Sequence, residues 1–373
     1  MVQSVITPRP PAPPPAGPSA ARDLNTARVL ALVRDQGPLT QAELIRRSGL
    51  ARPTVAAIAR QLQEAAVLVE AGRAPDGSTG RPGSLLQFDP RCATAAVARM
   101  LPRSVEVWIV DCDGEELGRS RLTRPGPAAG RPDRLAAELT RLSAELGVPR
   151  PGSVGMLLVG RLPASWAVLE DRLAAPVTVL NPTAAAALGV ARAGRHADAL
   201  VVFLDHGIGV GIVCGGEVLL GADARSGELG HCRVPGVERR CRCGRTGCVE
   251  TLAAGWFLRE RAAQLLGSTV RVPTTVAGLE GLGHAGIDRL LAEAAEQLGL
   301  ATSWLVNTVN PRAVLLGGTP FAAGADRFLA TFTASVRRHA LVDHAEHLVV
   351  DVASPTADID GAAQAALDRL VIV

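Results

Sequence analysis

From Asn25 onward, apolar positions recur at three- and four-residue intervals, the repeat that turns one stripe of a helix toward a core. The pattern predicts a helix from Asn25 to about Arg34. A second is marked by Thr40-Gln41-Ala42-Glu43, a capping box in which the Thr hydroxyl and the Glu carboxylate satisfy exposed amides reciprocally. It ends near Arg47, ahead of the turn signal Ser48-Gly49. A third fits Pro53 to Ala65, because proline is tolerated in a helix's first turn. Val67-Leu68-Val69 and Leu85-Leu86-Gln87-Phe88 then read as short strands enclosing a loop from Glu70 to Gly83.

A longer α/β region follows. Apolar strand-like runs occur at Val105–Val110, Val154–Val159, Val177–Leu180, Ala199–Leu204, Gly209–Cys214, Ala313–Leu316 and His347–Val350. Helix-like runs lie at Pro132–Leu146, Thr183–Ala193, Thr251–Leu266, Gly286–Leu298, Leu300–Val309, Ala322–His339 and Ile359–Leu370. Strands alternating with helices predict parallel sheets, arranged in two lobes.

Length sharpens this into domains. At about 100–200 residues per domain, a chain of 373 residues holds two or three. Residues 1–24 contain seven prolines and read as a disordered, polyproline-like tail. Residues 25–90 form the helical unit with its hairpin, and 91–373 the α/β body. With 47% hydrophobic and 20% charged residues, extended disorder is excluded elsewhere. No uninterrupted apolar run is long enough to span a membrane, and the amino terminus lacks the order of an export signal. A cytoplasmic protein with no membrane partner is expected.

The net charge of +3 is small, but residues 1–90 hold ten Arg against seven acidic residues, so the whole excess lies there. Lys is absent. Every strong positive contact is therefore a guanidinium, a fork suited to phosphates and base edges.

The stretch from Thr40 to Ala65 has helix-turn-helix dimensions. Ala42, Leu44, Ile45 and Leu50 are expected to pack, with Val55, Ile58 and Leu62 on the inner side of the next helix. In such motifs the start of the second helix meets base edges while neighbouring cations hold phosphates. Arg52 and Thr54 are the base-edge candidates, Arg46 and Arg47 the backbone candidates, and Arg60 shares the polar face. Gly80-Arg81-Pro82-Gly83 reads as a wing tip whose Arg81 enters a narrow minor groove. The implied partner is double-stranded DNA.

Chemistry in the body centres on cysteine. Of seven, Cys241, Cys243 and Cys248 fall within eight residues, with His231 upstream. Three thiolates and one imidazole complete a tetrahedral shell for structural Zn2+, with no open position for catalysis. The competing reading is a set of buried free thiols. Cys232 is a spare ligand, and Cys92, Cys112 and Cys214 read as packed.

On these motifs, and most specifically on Gly227-Glu228-Leu229-Gly230-His231 followed by Cys241, Cys243, Gly244, Gly247, Cys248 and Glu250, the chain resembles the ROK family of bacterial repressors, open reading frames and sugar kinases. Within it, the chain is similar to the xylose- and N-acetylglucosamine-responsive repressors, which join a winged helix-turn-helix to a kinase-like body. The resemblance covers nearly everything after residue 24. It implies a two-lobed actin/hexokinase-like (ribonuclease H-like) fold and a homo-oligomer, a dimer reading a palindromic operator. It also implies sugar-hydroxyl contacts from Asn181, Glu228, His231 and Glu250, with His231 on the zinc as well. Gly207-Ile208-Gly209 matches the family's phosphate turn, and Asn310-Pro311 through Gly317-Gly318 the turn near the nucleotide base. Read without the family, Glu228 and Glu250 fit either hydroxyl acceptors or surface acids, and the glycines fit either a phosphate turn or a hairpin.

The departures bear on activity. Where family kinases carry the Asp that acts as general base, this chain has Pro182, which cannot accept a proton. The amino-terminal Asp-x-Gly-Gly-Thr loop is absent around Ala95–Val107, and Asp205-His206 replaces small residues in the phosphate turn. No catalytic residue and no enzyme activity are expected. The loop at Val159–Ser165 is shortened, which leaves three effector readings: a different sugar, a sugar phosphate met by Arg161, or none.

Overall fold

The computed structural model describes residues 18–74, 83–101, 104–123, 131–159, 168–267, 271–318, 321 and 325–370. It opens with α1 (Pro18–Gln36), which buries Val29 and Val33. The helix starts upstream of the expected Asn25, so the described end of the proposed tail, from Pro18, is helical. Proline in a first turn loses only an amide that has no helical partner. The tail expectation for residues 1–17 lies outside the described residues.

β1 (Leu39–Thr40), α2 (Gln41–Ser48), α3 (Arg52–Glu64), β2 (Leu68–Arg73) and β3 (Ser84–Phe88) complete the first unit. Its three strands pair antiparallel in the order β1-β3-β2. Leu44, Val55, Ile58, Leu62, Leu68 and Leu86 fill its core, which Cys112 and Leu370 of the body extend. Arg34 on α1 donates to the Cys112 carbonyl at 3.0 Å and to Asp113 at 2.7 Å, tying the unit to the body.

The body's first lobe contains β4 (Thr94–Met100), β5 (Ser104–Asp111), β6 (Glu116–Thr123), α4 (Arg131–Leu146), β7 (Val154–Leu157), α5 (Leu169–Leu173) and β8 (Val177–Leu180). After α6 (Pro182–Arg192), the second lobe begins with β9 (Ala199–Leu204), β10 (Ile208–Cys214) and β11 (Glu217–Val218). It continues through α7 (Glu250–Ala253), α8 (Gly255–Leu266), α9 (Val276–Glu280), α10 (Ala285–Val309), β12 (Ala313–Gly317), α11 (Asp326–His339), α12 (Val342–Glu346) and β13 (Val349–Val352). The chain then returns as α13 (Ala357–Leu367).

Both lobes repeat one topology. Their sheets run β6-β5-β4-β7-β8 and β11-β10-β9-β12-β13. In each, three strands form an antiparallel meander and two more add parallel to its innermost strand. The sheets are thus mixed, where the alternation of elements predicts parallel ones. In the first lobe the difference comes from β4 and β6, which the apolar pattern does not reveal: β4 is Ala-rich and buried along most of its length, and β6 is a largely polar edge strand; in the second, β9 and β10 are joined by a short turn as an antiparallel hairpin.

α6 and α13 lie between the sheets. α13 packs on β4 and β7, and α6 on β9 and β10. They touch each other backbone to backbone: a Cβ on Gly361 would lie 1.8 Å from the Ala185 carbonyl oxygen, and one on Gly189 2.2 Å from that of Ala357. The second lobe's outer core is built on α10, a continuous helix of 25 residues where the sequence suggests two. Gly299 at its middle is no break; a Cβ there would meet the Phe332 carbonyl and the Ser335 side chain of α11.

If the α6–α13 crossing holds the lobes together, Gly361→Ala overpacks it, a change costing about 1–3 kcal/mol in packed cores. Guanidinium unfolding should show the midpoint falling by a corresponding amount. An unchanged midpoint would mean that the two helices separate without cost.

Candidate functional site

The reading unit is built as its sequence requires. Thr40 caps α2: Glu43 N–H donates to its hydroxyl at 3.2 Å, and the Glu43 carboxylate accepts from the Thr40 amide at 2.8 Å. Gly49 turns the chain at φ 68°, the left-handed conformation that glycine adopts without strain. α3 then buries Val55, Ile58, Ala59 and Leu62. Arg52, Pro53, Ala56, Ala57 and Arg60 stay exposed, and Thr54 is half-buried. The small side chains of Ala56 and Ala57 let that face approach a groove closely, a contribution that reading the polar residues alone does not reveal. Ala42, expected in the core, is exposed instead. Arg46 and Arg47 lie 4.0 and 3.8 Å from Glu43, and Arg60 lies 3.9 Å from Glu64. Such exposed pairs are weak enough for phosphates to displace. Arg81 lies outside the described residues.

In the second lobe, His231, Cys241, Cys243 and Cys248 bring one donor atom each to within 4.8 Å of one another. His231 Nδ1 is 3.8 Å from Cys241 Sγ, and Cys243 Sγ is 3.7 Å from Cys248 Sγ. A tetrahedral zinc with bonds of ~2.0–2.3 Å needs donor separations of about 3.5–3.8 Å. The set therefore fits a metal ion, and its three sulfurs favour a soft or borderline one. The Arg245 amide, chiefly, lowers the Cys243 thiol to about 6, which favours the ligating thiolate. The other imidazole nitrogen, Nε2, faces Glu228 at 3.9 Å, the position of an orienting carboxylate. Cys232, the spare candidate, is exposed and outside the cluster, and Cys214, expected to be packed, is exposed as well.

Glycines let this loop lie on β10. A Cβ on Gly227 would fall 1.8 Å from the Val210 carbonyl oxygen, and one on Gly230 2.4 Å from that of Ile208. Glu250 fastens the arrangement. It is buried, accepts from the Ile208 amide at 3.1 Å and from Trp256 Nε1 at 3.4 Å, and ties the metal loop to the β9–β10 turn. Of the four sugar-contact candidates, Glu228 is the exposed one and His231 is half-buried. Asn181 is the cap of α6, its carboxamide oxygen accepting from the Ala184 amide at 2.7 Å and the Thr183 hydroxyl at 2.6 Å. Asp205 to Gly207 form the turn of the β9–β10 hairpin, and Gly209 and Gly211 make room for Thr183 of α6.

Pro182 is the first residue of α6. Asn181, Pro182 and Thr183 bring no carboxylate to that turn. Between the first-lobe sheet and the helix packed on it, Arg99 of β4 grips Asp358 at the start of α13 through two contacts of 2.8 Å from one guanidinium nitrogen. Burial raises the Asp358 carboxyl, and the guanidinium works against it. Asp205 is also raised by burial, opposed by Arg99 and Arg259. His206 is held below its ordinary value, first by burial and then by Arg242 and Arg259. These two guanidinium groups come from distant segments, and nothing in the linear order announces their meeting.

The ROK family profile matches residues 166–368, more than half the chain. The protein belongs to the ROK family. A winged helix-turn-helix DNA-binding profile matches residues 22–65, over α1 to α3. This ROK-family chain is 25% identical over 365 residues to the DNA-binding transcriptional repressor Mlc of Escherichia coli (strain K12), spanning 88% of this chain and 89% of that protein. It is also 25% identical over 329 residues to the DNA-binding transcriptional dual regulator NagC of the same strain, 80% of each. Among solved structures, a ROK-family transcriptional regulator described as a homologue of the E. coli protein superposes with a TM-score of 0.70 at 23% identity, covering 94% of this chain and 98% of that one. The ROK hexokinase from Thermus thermophilus superposes with a TM-score of 0.62 at 26% identity, covering 73% and 97%. The resemblance stated from motifs is thus confirmed for both the winged unit and the two-lobed body. Among the described residues, no helix is long and apolar enough to cross a membrane.

Two outcomes follow from the geometry. Cys243→Ser should abolish retention of a stoichiometric metal through dialysis, read by elemental analysis; full retention would remove Cys243 from the ligand set. Arg52→Ala, at the exposed start of α3, should weaken binding to a specific site by about 1–3 kcal/mol and relax preference at one base position. A site-variant binding scan with undiminished discrimination would rule out a base contact.

Proposed function

We propose that this ROK-family protein is a DNA-binding transcriptional regulator, a repressor of carbohydrate-related genes whose kinase-like body is not catalytic. The observation that carries this reading is the exposed α3 face, with Arg52, Ala56, Ala57 and Arg60, on a winged unit joined to a ROK-family body. The repressor and dual-regulator descriptions of the relatives, which match along most of their length, support it. A homodimer would present two such faces to the half-sites of a palindrome. Pro182 in the place of the kinase base supports the absence of phosphoryl transfer.

In this reading the His231, Cys241, Cys243 and Cys248 site holds structural Zn2+ in the cytoplasm. The metal closes the loop as a four-ligand shell, and the chain's own residues do the rest. His231 points its second nitrogen to Glu228, and Glu250 links the loop to the β9–β10 turn. An effector sugar or sugar phosphate bound beside this loop would act by preferring one arrangement of the lobes over another. A constitutive DNA binder is the second reading, favoured by the protein partners that already engage Glu250 and Asn181.

Genome-wide mapping of sites bound by the tagged protein tests the regulator. Sharp peaks sharing a palindrome, next to its own gene or to sugar-uptake genes, are expected; no enrichment under several carbon sources would overturn the reading. Sugars that raise the thermal midpoint of the purified protein would separate a sensor from a constitutive binder. ATP consumption over a sugar panel should stay at background.

A further inference from the structure

Two cysteines stand where the winged unit is joined to the body. The chain passes between the two once, from Phe88 at the end of β3 to Thr94 at the start of β4. Within that connection Pro90–Cys92 form a single 3-10 turn, opened by the Asp89 carboxylate accepting from the Arg91 amide at 2.9 Å. Cys112 follows the last residue of β5, on the body side. Its amide donates to the Pro90 carbonyl at 2.9 Å and its thiol to the Ala93 carbonyl at 3.3 Å. Cys112 is therefore bonded to residues on either side of Cys92, and both cysteines pack in the same apolar cluster as the winged unit's core.

The surroundings give the two thiols different characters. Contact with the Cys92 thiol, chiefly, holds Cys112 below the ordinary cysteine range, and the Arg34 guanidinium adds to this. The same contact, together with burial, pushes Cys92 up. Cys112 is thus the readier nucleophile and half-buried Cys92 the thiol placed to resolve it. Cys112 also lines a cavity of about 260 Å³ with Arg34, Asp113, Leu367 and Leu370, between α1, the turn after β5 and the end of α13. That space admits a small polar oxidant.

We propose that Cys92 and Cys112 are a reversible disulfide pair, oxidised by hydrogen peroxide, that staples the connection between winged unit and body. The Cys112 thiolate attacks one peroxide oxygen and the O–O bond breaks. The departing hydroxide takes up the thiol's proton as water and leaves Cys112 as a sulfenic acid. The Cys92 sulfur then attacks the Cys112 sulfur, the S–OH bond breaks, and the hydroxide leaves with the Cys92 proton as a second water. Two thiols lose two electrons, and one peroxide is reduced to two waters. The new bond replaces the Cys112–Ala93 contact and draws the Pro90–Cys92 turn toward the end of β5. Arg34 of α1 holds the Cys112 carbonyl, and the Asp89 amide donates to the Val67 carbonyl, so both grips on the winged unit feel the change. The disulfide stands on the local structure; its effect on DNA rests on the regulator reading given above.

Stepwise peroxide treatment of the metal-loaded full-length protein, followed by alkylation and tryptic digestion without reduction, tests it. Trypsin cuts after Arg91, Arg99, Arg103 and Arg119, so the two cysteines leave in separate peptides, 92–99 and 104–119. The expected product is these two joined, lighter than their sum by two hydrogen atoms, and split by dithiothreitol. Cys92→Ala should halt the sequence at a Cys112 sulfenic acid, trapped by dimedone. Cys112→Ala should leave Cys92 open to alkylation at the dose that converts the native pair. Metal content unchanged at that dose separates this event from oxidation of the His231, Cys241, Cys243 and Cys248 cluster. Both cysteines still fully alkylated at a dose that oxidises the exposed Cys214 and Cys232 would overturn the proposal. The cross-linked protein should bind its specific DNA site more weakly by about fivefold or more, the lower end of ordinary coupling between sites. Reduction should restore the affinity, and peroxide should not change it in Cys92→Ala. Cross-linking with unchanged affinity would overturn the role of the junction. Cross-linking in a protein that binds DNA in neither state would remove the regulator and leave the disulfide.

Discussion

The body depends on a crossing that has no room for a side chain. Gly361 of α13 meets the backbone of α6 at Ala185, and Gly189 of α6 meets that of α13 at Ala357. Because α6 rests on the second-lobe sheet and α13 on the first-lobe sheet, this contact is where two similar halves become one body. Many of the residues around it are alanine, among them Ala185, Ala362 and Ala366 on one side and Ala186, Ala187 and Ala357 on the other. Small side chains give backbones a close approach, but each contributes little burial energy. The crossing therefore holds by continuous contact rather than by large anchoring groups, and bulk at its centre disrupts it more than bulk at its edge.

α13 also connects places that are far apart. Its first turn carries Asp358, gripped by Arg99 from β4, and just beyond its end Leu370 packs against the core of the winged unit. Arg34 of α1 reaches the same region through the Cys112 carbonyl. A shift of the lobes that displaced the Arg99–Asp358 pair would therefore be felt at a helix whose far end touches the DNA-reading unit. Pairs with a buried carboxylate suit such a role because breaking one leaves an uncompensated buried charge. Their geometry is accordingly kept or lost as a whole.

How much of this is legible along the chain differs by element. The winged unit is readable because its signals are local: the capping box, Gly49 and the stripe Val55, Ile58 and Leu62 all lie within a few residues of what they satisfy. The His/Cys cluster is readable because Cys241, Cys243 and Cys248 lie within eight residues of one another. β4 escapes notice because a strand buried on both faces loses its alternation, and Gly299 misleads because a glycine needed for packing against α11 looks like a helix break. Glu250 is recognisable as important, yet its partners, Ile208 and Trp256, come from folding. The His206, Arg242 and Arg259 group is the extreme case, since three unremarkable residues acquire meaning only when three segments converge.

In the proposed non-catalytic reading, the turn that opens α6 answers to one demand instead of two. In a kinase the turn that opens α6 must both start a helix and hold a carboxylate ready for a proton. With Asn181 as cap and Pro182 as first helical residue, the turn meets only the structural demand, and does so with residues that favour it. In the adjoining hairpin, Gly209 and Gly211 receive Thr183, and His206 at the tip lies 2.7 Å from Arg242 and 3.1 Å from Arg259. On the reading proposed above, in which no proton is transferred at this turn, Glu250 and the Arg99–Asp358 pair serve to hold a conformation. That role suits a body whose output, on the same reading, is a position of α13 relative to the winged unit rather than a chemical product.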